Sequence, residues 1–367
     1  MSGNPPHGKI DKDWSVGMSQ ASVAAKTFFV SVLGSVFYML LQLPLPWILG
    51  PLTALLAAKS ISAGPYYTPP VLRNLAFIIT GIYFGTSFSR ETLTAAVPFL
   101  LPYTLLTALL LTFSITSGLW LARRTGIDPV TGVFASIPGG LSEMVAASDS
   151  LKGNAGIVSV LQTIRILSVV FFIPFFVTYA IGSGESGPAG KTAAAVYPDS
   201  HPAAFTLYLL PIAAAYFLRK TLPAAYVVGS LFTSALVNIS GMPIPHLPYW
   251  LAVGAQLIIG TSIGSKMSIQ DLKKAGSAGP PFFIYTLLLI TISLGMGVLF
   301  SYVTGIPLET GLLSMAPGGL VEMVLTAESI GGDPATVSSL QLIRFLFIVI
   351  AVPSFLKWMF KVTSRQD

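Results

Sequence analysis

Long apolar runs, separated by short polar or Gly- and Pro-rich segments, dominate the chain from residue 27 to residue 360. A helix of about 20 apolar residues crosses a hydrocarbon layer of roughly 30 Å, and runs near that length recur along the whole sequence. The pattern therefore predicts an all-α, multi-pass membrane protein. The predicted elements lie near 27–43, 45–62, 72–88, 94–120, 131–149 and 155–180, and again near 206–221, 222–239, 248–264, 279–303, 310–328 and 334–360.

The composition agrees with this class of protein. Of the 367 residues, 53% are hydrophobic and 9% are charged, whereas ordinary soluble domains contain roughly 25% charged residues. So little charge cannot cover a soluble surface. Residues 1–26 are polar, and no small-residue cleavage site follows the first apolar run. We therefore expect that run to stay as a membrane helix and not to be removed as a signal peptide.

Charge and cysteine content exclude several kinds of function. The chain has no cysteine, which removes disulfides, thiolate metal sites and cysteine nucleophiles. The formal net charge is +6, but the 20 Lys and Arg residues lie mostly in tails and short loops between the apolar runs. Such placement is typical of the signals that orient membrane helices, so we expect no nucleic-acid partner.

The chain contains an internal duplication at a constant offset of 179 residues. The match is closest between residues 138–174 and 317–353, where 18 of 37 positions are identical, against about three expected from composition alone. The same offset pairs Gly81 with Gly260 and continues through nearly the whole chain. The sequence therefore consists of two copies of one module.

The duplication predicts five parts of the chain. They are a cytoplasmic tail at 1–26, a first membrane repeat at 27–180, a linker at 181–202 that is rich in Gly, Pro, Ser and Ala, a second membrane repeat at 203–360 and a cytoplasmic tail at 361–367. Four of the five Trp residues lie at the ends of predicted elements, as membrane-interface anchors do: Trp47, Trp120, Trp250 and Trp358.

The fifth element of each repeat is predicted to be broken, because a proline followed by two glycines interrupts it. These residues strongly disfavour an unbroken helix. Non-helical backbone at membrane depth persists only where protein or a water-filled cavity satisfies its polar groups. Two breaks at matching positions of oppositely oriented repeats indicate a transporter binding site between the repeats.

The positions of Lys and Arg predict the orientation. If each fifth element enters and returns on one side, each repeat crosses the membrane five times and the second repeat is inverted. Sixteen Lys and Arg residues then lie inside, with both termini, and only Arg90 and Lys191 lie outside. If the fifth elements cross fully, the split becomes 11 to 7. The positive-inside rule favours the first arrangement, which has about ten crossings.

Polar residues that recur in both repeats form the candidate site. Ionisable groups at bilayer depth cost at least about 2.5–3.5 kcal/mol each, so they are functional candidates. In each repeat a Gln and an Arg are three residues apart and share a helix face. The candidate substrate- and ion-binding residues are Pro138, Gly139, Gly140, Glu143, Gln162, Arg165, Pro317, Gly318, Gly319, Glu322, Gln341 and Arg344.

Two interpretations of the arginines are open at this point. In the first, Glu143 and Glu322 bind a coupling proton or cation, while Arg165 and Arg344 hold an anionic substrate through the planar guanidinium fork. In the second, each arginine pairs with a glutamate or with carbonyls freed at the broken element, and only fixes the fold.

Other repeated residues favour structural roles. Asp149 and Glu328 lie toward the ends of their elements, where we expect solvation. The Gly-x-x-x-Gly spacing that begins at Gly81 and its copy that begins at Gly260 allow two helices to pack closely.

At the duplicated PGGL-x-EM segment, followed by a Gln-x-x-Arg helix, the sequence resembles the AbrB-like family of bacterial integral membrane proteins, whose hallmark is this duplication. The resemblance covers nearly the whole chain and implies a place in the bacterial plasma (inner) membrane. The usual labels of the family are a regulator of gene expression and an ammonia monooxygenase. More widely, such duplicated modules are similar to secondary transporters with inverted repeats.

The residues distinguish between these labels. A monooxygenase needs copper or iron, normally held by several histidines and carboxylates, and this chain has only His7, His201 and His246, in a tail, the linker and a loop. A transcription factor needs a soluble DNA-reading element, and the longest predicted soluble stretch is the 26-residue tail. We therefore predict a non-enzyme without metal or cofactor that transports a small, anionic or amphipathic solute. The alternative is a membrane regulator or sensor. Substrate, coupling ion and oligomeric state are left open.

Overall fold

The structure is a computed structural model that describes residues 20–61, 64–86, 88, 90–181, 202–220, 224–242, 244–245, 247–267 and 275–363. These residues form α-helices joined by turns and short 3₁₀ or π segments, and no strand occurs among them. Most of both predicted tails and of the linker, and all three histidines, lie outside the described residues.

Fourteen α-helices lie in the described part of the chain, seven in each half. Five of those in the first half begin 179 residues before their copies in the second half. The first seven are α1 (Gln20–Leu40), α2 (Pro46–Ile61), α3 (Pro70–Gly85), α4 (Arg90–Thr125), α5 (Pro129–Ser136), α6 (Leu141–Ser150) and α7 (Ala155–Phe176). The others are α8 (Leu209–Phe217), α9 (Ala225–Ile239), α10 (Tyr249–Lys266), α11 (Gly279–Thr304), α12 (Leu308–Met315), α13 (Leu320–Ile330) and α14 (Pro334–Thr363).

Four helical stretches in the described residues are long and apolar enough to cross a membrane: Gln20–Leu40, Val97–Thr125, Ala155–Ala180 and Gly276–Thr304. Large hydrophobic side chains such as Phe29, Leu101 and Ile284 are exposed on their outer faces. An apolar surface of this kind is stable in contact with lipid and unfavourable in water. Length and composition thus give the molecule the character of a membrane-associated helical protein.

The first helix of the second half is shorter than predicted. The sequence predicts one element at 206–221, whereas α8 is a short helix between 3₁₀ segments at Pro202–Tyr208 and Leu218–Lys220. Pro211 near the start of α8 has no backbone N–H to bond the carbonyl four residues earlier. Regular α-helix therefore does not extend back through residue 207, and the chain adopts the tighter 3₁₀ turn.

The two halves pack through reciprocal contacts of their second and third helices. α2 lies on α10, and α3 lies on α9. The 179-residue offset relates α2 to α9 and α3 to α10, so the two contacts are equivalent. A Cβ built on Gly260 would lie 2.9 Å from the Cα of Ile48, and one built on Gly264 would lie 3.1 Å from the Cα of Leu52. The backbones of α10 and α2 therefore touch. Because a step of four residues along α10 matches a step of four along α2, the two helices run parallel.

α3 and α9 are related in the same way. A Cβ built on Gly81 would lie 2.5 Å from the carbonyl oxygen of Val227, and one built on Gly85 would lie 3.2 Å from the Cα of Leu231. Glycine faces of this kind permit the close van der Waals packing on which helix association in lipid depends. The predicted packing role of both Gly-x-x-x-Gly segments is therefore observed, and each segment packs against the opposite half.

The long helices surround the broken elements. α4 packs on α5 and α14, and α11 packs on α12 and α7, again as a reciprocal pair. The largest cluster of buried hydrophobic side chains contains residues of both halves, including Ile48, Val169, Val228 and Val324. The core is thus shared between the halves, and the broken elements are enclosed within it.

Candidate functional site

Each broken element is a hairpin of two short helices. α5 ends at Ser136 and α6 begins at Leu141. At the other end of this hairpin, the backbone N–H of Asn154 donates to Oγ1 of Thr131 at 2.6 Å. The start of α5 and the residues just after α6 therefore lie side by side, and the Pro-Gly-Gly segment is the tip of the hairpin.

The second half repeats this hairpin with α12 and α13. The backbone N–H of Asp333 donates to Oγ1 of Thr310 at 3.0 Å, which closes the base of the hairpin in the equivalent place. The tip comprises residues 316–319 between the two helices. Both predicted breaks are therefore present, and both elements turn back toward the side from which they came.

A glutamine and an arginine of α7 hold the first tip. Gln162 Nε2 donates to the carbonyl oxygens of Phe134 at 2.6 Å and Ile137 at 3.0 Å. The guanidinium of Arg165 donates to the carbonyl oxygens of Ile137 at 2.5 Å and Gly139 at 2.9 Å. Gln162 and Arg165 are buried. They supply the donors that backbone carbonyls at a helix break need when no water is present.

The equivalent residues of α14 hold the second tip. Gln341 Nε2 donates to the carbonyl oxygen of Leu313 at 2.7 Å. Arg344 donates to those of Ala316 at 2.6 Å and Gly318 at 3.1 Å, and it also donates to the side-chain oxygen of Gln341. Both arginines therefore bond to carbonyls freed at the breaks, which is one of the two pairings that a fold-fixing role would use. Within the described part of the chain, neither arginine forms an ion pair with a carboxylate.

A glutamate lies at the start of the second helix of each hairpin. Glu143 is the third residue of α6 and Glu322 the third of α13, and a glycine precedes each helix. A Cβ built on Gly140 or on Gly319 would lie 2.9 Å from the carboxyl carbon of the respective glutamate. Each carboxylate therefore folds back over the free end of its own helix, where backbone N–H groups and the helix dipole stabilise negative charge. A larger residue in place of the glycine would collide with it.

Both hairpin tips line one cavity of about 520 Å³. Of the twelve predicted site residues, eleven line this cavity, and Gln162 is buried beside the first tip, to which it bonds. The cavity also contains residues that the sequence interpretation assigned only to topology. These are Arg73 at the start of α3 and Lys266 at the end of α10. Their positions at helix ends gave no signal that they face the site.

The cavity lies between the halves. A Cβ built on Gly139 would lie 3.0 Å from the side chain of Ile348 in α14, and one built on Gly318 would lie 3.0 Å from that of Val169 in α7. The offset that relates the two glycines also relates Val169 to Ile348. Each tip therefore rests on the last long helix of the opposite half, so that the site needs both halves.

The two ends of this pseudo-symmetric site differ. On α3, Tyr83 donates to a carboxylate oxygen of Glu328 at 2.5 Å and so ties that helix to the second hairpin. In the other half, the position of Tyr83 is taken by Ser262, which lines the cavity, and the position of Glu328 is taken by Asp149, which is exposed. The cavity therefore extends toward the end that carries Arg73, and the opposite end is held together by a hydrogen bond. Of the two outer carboxylates, Asp149 is exposed as predicted, whereas Glu328 is bonded.

Among the described residues, no group of three or more His, Asp or Glu side chains could hold a metal ion. The fold and the site define an all-helical, apolar protein of two interlocked halves, with a cavity between two hairpin tips whose wall carries both charged and apolar side chains.

The chain belongs to the AbrB family, as the duplicated motif predicted. The sequence model of that family, described as "Transition state regulatory protein AbrB", matches residues 3–117 and 47–360. The chain is 29% identical over 296 residues to "Uncharacterized protein YhjN" of Bacillus subtilis (strain 168), with 77% of each chain covered. It is 24% identical over 341 residues to "Putative regulator AbrB" of Escherichia coli (strain K12), with 92% of this chain and 97% of that protein covered. No solved structure matches the chain.

Proposed function

We propose that the protein is a carrier in the bacterial inner membrane, built from two inverted repeats with about ten crossings, and that a small solute passes through the cavity between the hairpin tips. The observation that carries this proposal is the meeting of both broken elements at one cavity between the halves. Secondary transporters bind their substrates where two such elements meet at a repeat interface.

Helix directions support the inversion of the repeats. α3 is the third element of its half and α9 is the second element of the other half, yet they run parallel. If successive elements alternate in direction, a third and a second element are parallel only when the halves have opposite orientations. Each hairpin returns to its starting side, which leaves α1, α2, α3, α4 and α7 as five crossings in the first half. An odd number of crossings produces the same inversion.

A topology experiment tests this arrangement. Ser240, after α9, is predicted to lie outside, and Ser277, before α11, is predicted to lie inside; both are exposed in the structure. The chain has no cysteine of its own. An impermeant thiol reagent added to intact cells is expected to label Ser240→Cys and to spare Ser277→Cys, which should react only after the cells are opened. Labelling of both, or of Ser277→Cys alone, would contradict the inverted arrangement.

A regulator or sensor is the second candidate, because one relative is named as a regulator. Such a protein binds a ligand in the same cavity and transmits a signal to another molecule, but it transports no solute. Either candidate uses the cavity for binding and involves no chemical conversion of the ligand. Solute flux is therefore the property that separates them.

The carrier proposal is tested with purified protein in lipid vesicles. Candidate solutes come from an untargeted metabolite comparison between cells that lack and cells that overproduce the protein. Uptake is then followed under an imposed proton or sodium gradient. We expect Ile166→Trp, which places a larger side chain in the cavity wall, to reduce uptake at least about tenfold by steric exclusion.

The matched control is Ile284→Trp, because Ile284 is 67% exposed on the outer face of α11. This variant is expected to keep the uptake of the parent protein. Binding without uptake by the parent protein would favour the sensor, and equal uptake by the two tryptophan variants would place the pathway outside the cavity.

A further inference from the structure

The charge and shape of the cavity indicate the kind of solute that it takes, provided that the proposed function is correct. Four cationic side chains line it against two carboxylates, so its walls carry an excess of positive charge at neutral pH. These residues are Arg73, Arg165, Lys266 and Arg344 against Glu143 and Glu322. Much of the remaining wall is apolar, including Phe77, Ile166, Val169, Val170, Leu320 and Phe345. An organic oxyanion with an apolar body matches both features.

Several carbonyl groups at the tips already accept hydrogen bonds from buried side chains. In carriers with broken helices, carbonyls freed at the breaks can coordinate Na⁺. In this protein a guanidinium and an amide occupy those positions at both tips, as the bonds of Arg165 and Arg344 show. A fixed positive charge at each tip repels a second cation. We therefore expect the carboxylates to carry the coupling ion.

Of the two helix starts, that of α13 is the more open. Gly319 is exposed to the cavity, whereas Gly140 is half-buried and a Cβ there would lie 3.3 Å from the ring of Phe345. The N–H groups in the first turn of α13 form an anion site, and in this structure the carboxylate of Glu322 lies over it. Arg165, which holds the first tip, also contributes positive charge to the wall of the same cavity. It is 4% exposed and lines the cavity, and its Nε has no hydrogen-bond partner among the described atoms.

We propose that Glu322 is an internal competitor for the anion site, so that binding of the solute anion is coupled to uptake of a proton. The ionised carboxylate occupies the start of α13 when the cavity is empty. An incoming oxyanion takes that place and displaces the carboxylate into the apolar part of the cavity. There the carboxylate takes one proton from solution and becomes a neutral acid, because an unpaired charge is costly in such surroundings. One anion bound therefore corresponds to one proton bound.

Neighbouring charges do not replace Glu322 in this role. Glu143 lies over the more enclosed helix start, and the cationic residues of the cavity attract the solute anion without taking up a proton. Other described titratable groups on the hairpin or on helices packed against α13 lie at its far end: Glu309 and Asp333 at the hairpin base, and Glu328 in its bond with Tyr83.

The probe for this inference is para-toluenesulfonate, an anion with an apolar body that stays ionised between about pH 5.5 and about pH 8.5, so that only protein groups titrate there. Its binding to the purified full-length protein is measured by calorimetry in buffers of different ionisation enthalpy. For the parent protein we expect the affinity to rise as the pH falls, by up to about tenfold per pH unit. We also expect uptake of close to one proton per anion in the part of this range where the affinity changes about tenfold per pH unit.

Glu322→Gln mimics the protonated acid. This variant is expected to bind the probe at every pH at least as tightly as the parent protein binds it at low pH, with no proton uptake. Asp149→Asn is the matched control, because Asp149 is exposed near the end of α6, and it should keep the pH dependence of the parent. If Glu322→Gln does not fold, the proton uptake of the parent protein alone decides.

Absence of probe binding, binding without proton uptake, or weaker binding by a folded Glu322→Gln variant would each overturn the coupling. The carrier proposal fails separately. Solute flux without proton-linked binding would contradict the coupling and leave the carrier proposal standing. Proton-linked binding without flux would contradict the carrier proposal and leave the coupling standing.

Discussion

Replacement of Arg344 by methionine is expected to destabilise the protein by about 3–6 kcal/mol. The guanidinium donates to the carbonyl oxygens of Met315, Ala316 and Gly318, at distances of 3.3, 2.6 and 3.1 Å. A buried carbonyl left without a donor costs about 1–3 kcal/mol, and the substitution removes one donor from each of three carbonyls. Arg344→Lys should fall between the parent and Arg344→Met, because one ammonium cannot reproduce the fork that spans several carbonyls.

The apparent melting temperature and the monodisperse fraction in detergent measure this effect. Arg124→Met is the control, because Arg124 is exposed and stacks on Trp120 with its guanidinium carbon 5.0 Å from the ring centroid. We expect this change to cost no more than about 1 kcal/mol. Equal melting of the two methionine variants would contradict the tip-holding role. An Arg344→Lys variant that melts like the parent protein but has lost all solute uptake would indicate substrate contact instead.

Substitution of Gly260 by alanine is expected to disrupt the contact between the halves and to cost at least about 2 kcal/mol. The added Cβ would lie 2.9 Å from the Cα of Ile48 and 3.0 Å from its carbonyl carbon. Because these are backbone atoms, they cannot move aside as the end of a flexible side chain can. We expect Gly81→Ala to behave in the same way, since its Cβ meets the backbone of Val227.

Gly254→Ala on the same helix is the matched control. A Cβ at Gly254 would meet nothing within 4 Å, so the change should be neutral or should stabilise α10 by about 0.4–1 kcal/mol. Thermal unfolding in a mild detergent compares the three variants with the parent. Similar melting of Gly260→Ala and Gly254→Ala would mean that α10 and α2 do not touch as closely as described.

The sequence predicts much of the fold because hydrophobic runs and an internal duplication can both be recognised without knowing which helices touch. Every predicted element has a helical counterpart, and the breaks lie at the two Pro-Gly-Gly segments. What the sequence could not provide is the partner of each helix. The spacing of Gly81 and Gly85 shows that a close-packed face exists, but not that α9 of the other half covers it, because the same face would fit any small-residue surface. Tertiary packing alone decides that choice.

The site is predictable to a similar extent. Charge inside an apolar segment is costly. The recurrence of Glu143 and Arg165 in the second half therefore identified them as candidate site residues. The roles of the arginines could not be read in advance, since a guanidinium suits a carboxylate and a pair of carbonyls equally well. Arg73 and Lys266 were overlooked because they lie at helix ends, where cationic residues are common for reasons of orientation.

The exchange of partners between the halves also bears on how such a molecule arose. α2 and α3 of one half pack on α10 and α9 of the other, and each hairpin tip rests on the final helix of its counterpart. A single half would leave its glycine faces uncovered and its tip without support. Two identical copies of one half could cover each other through the same contacts in a symmetric pair. A homodimer is thus the simplest ancestor before gene duplication, and fusion of its two subunits would let each copy diverge, as the different residues at the equivalent positions Tyr83 and Ser262 illustrate.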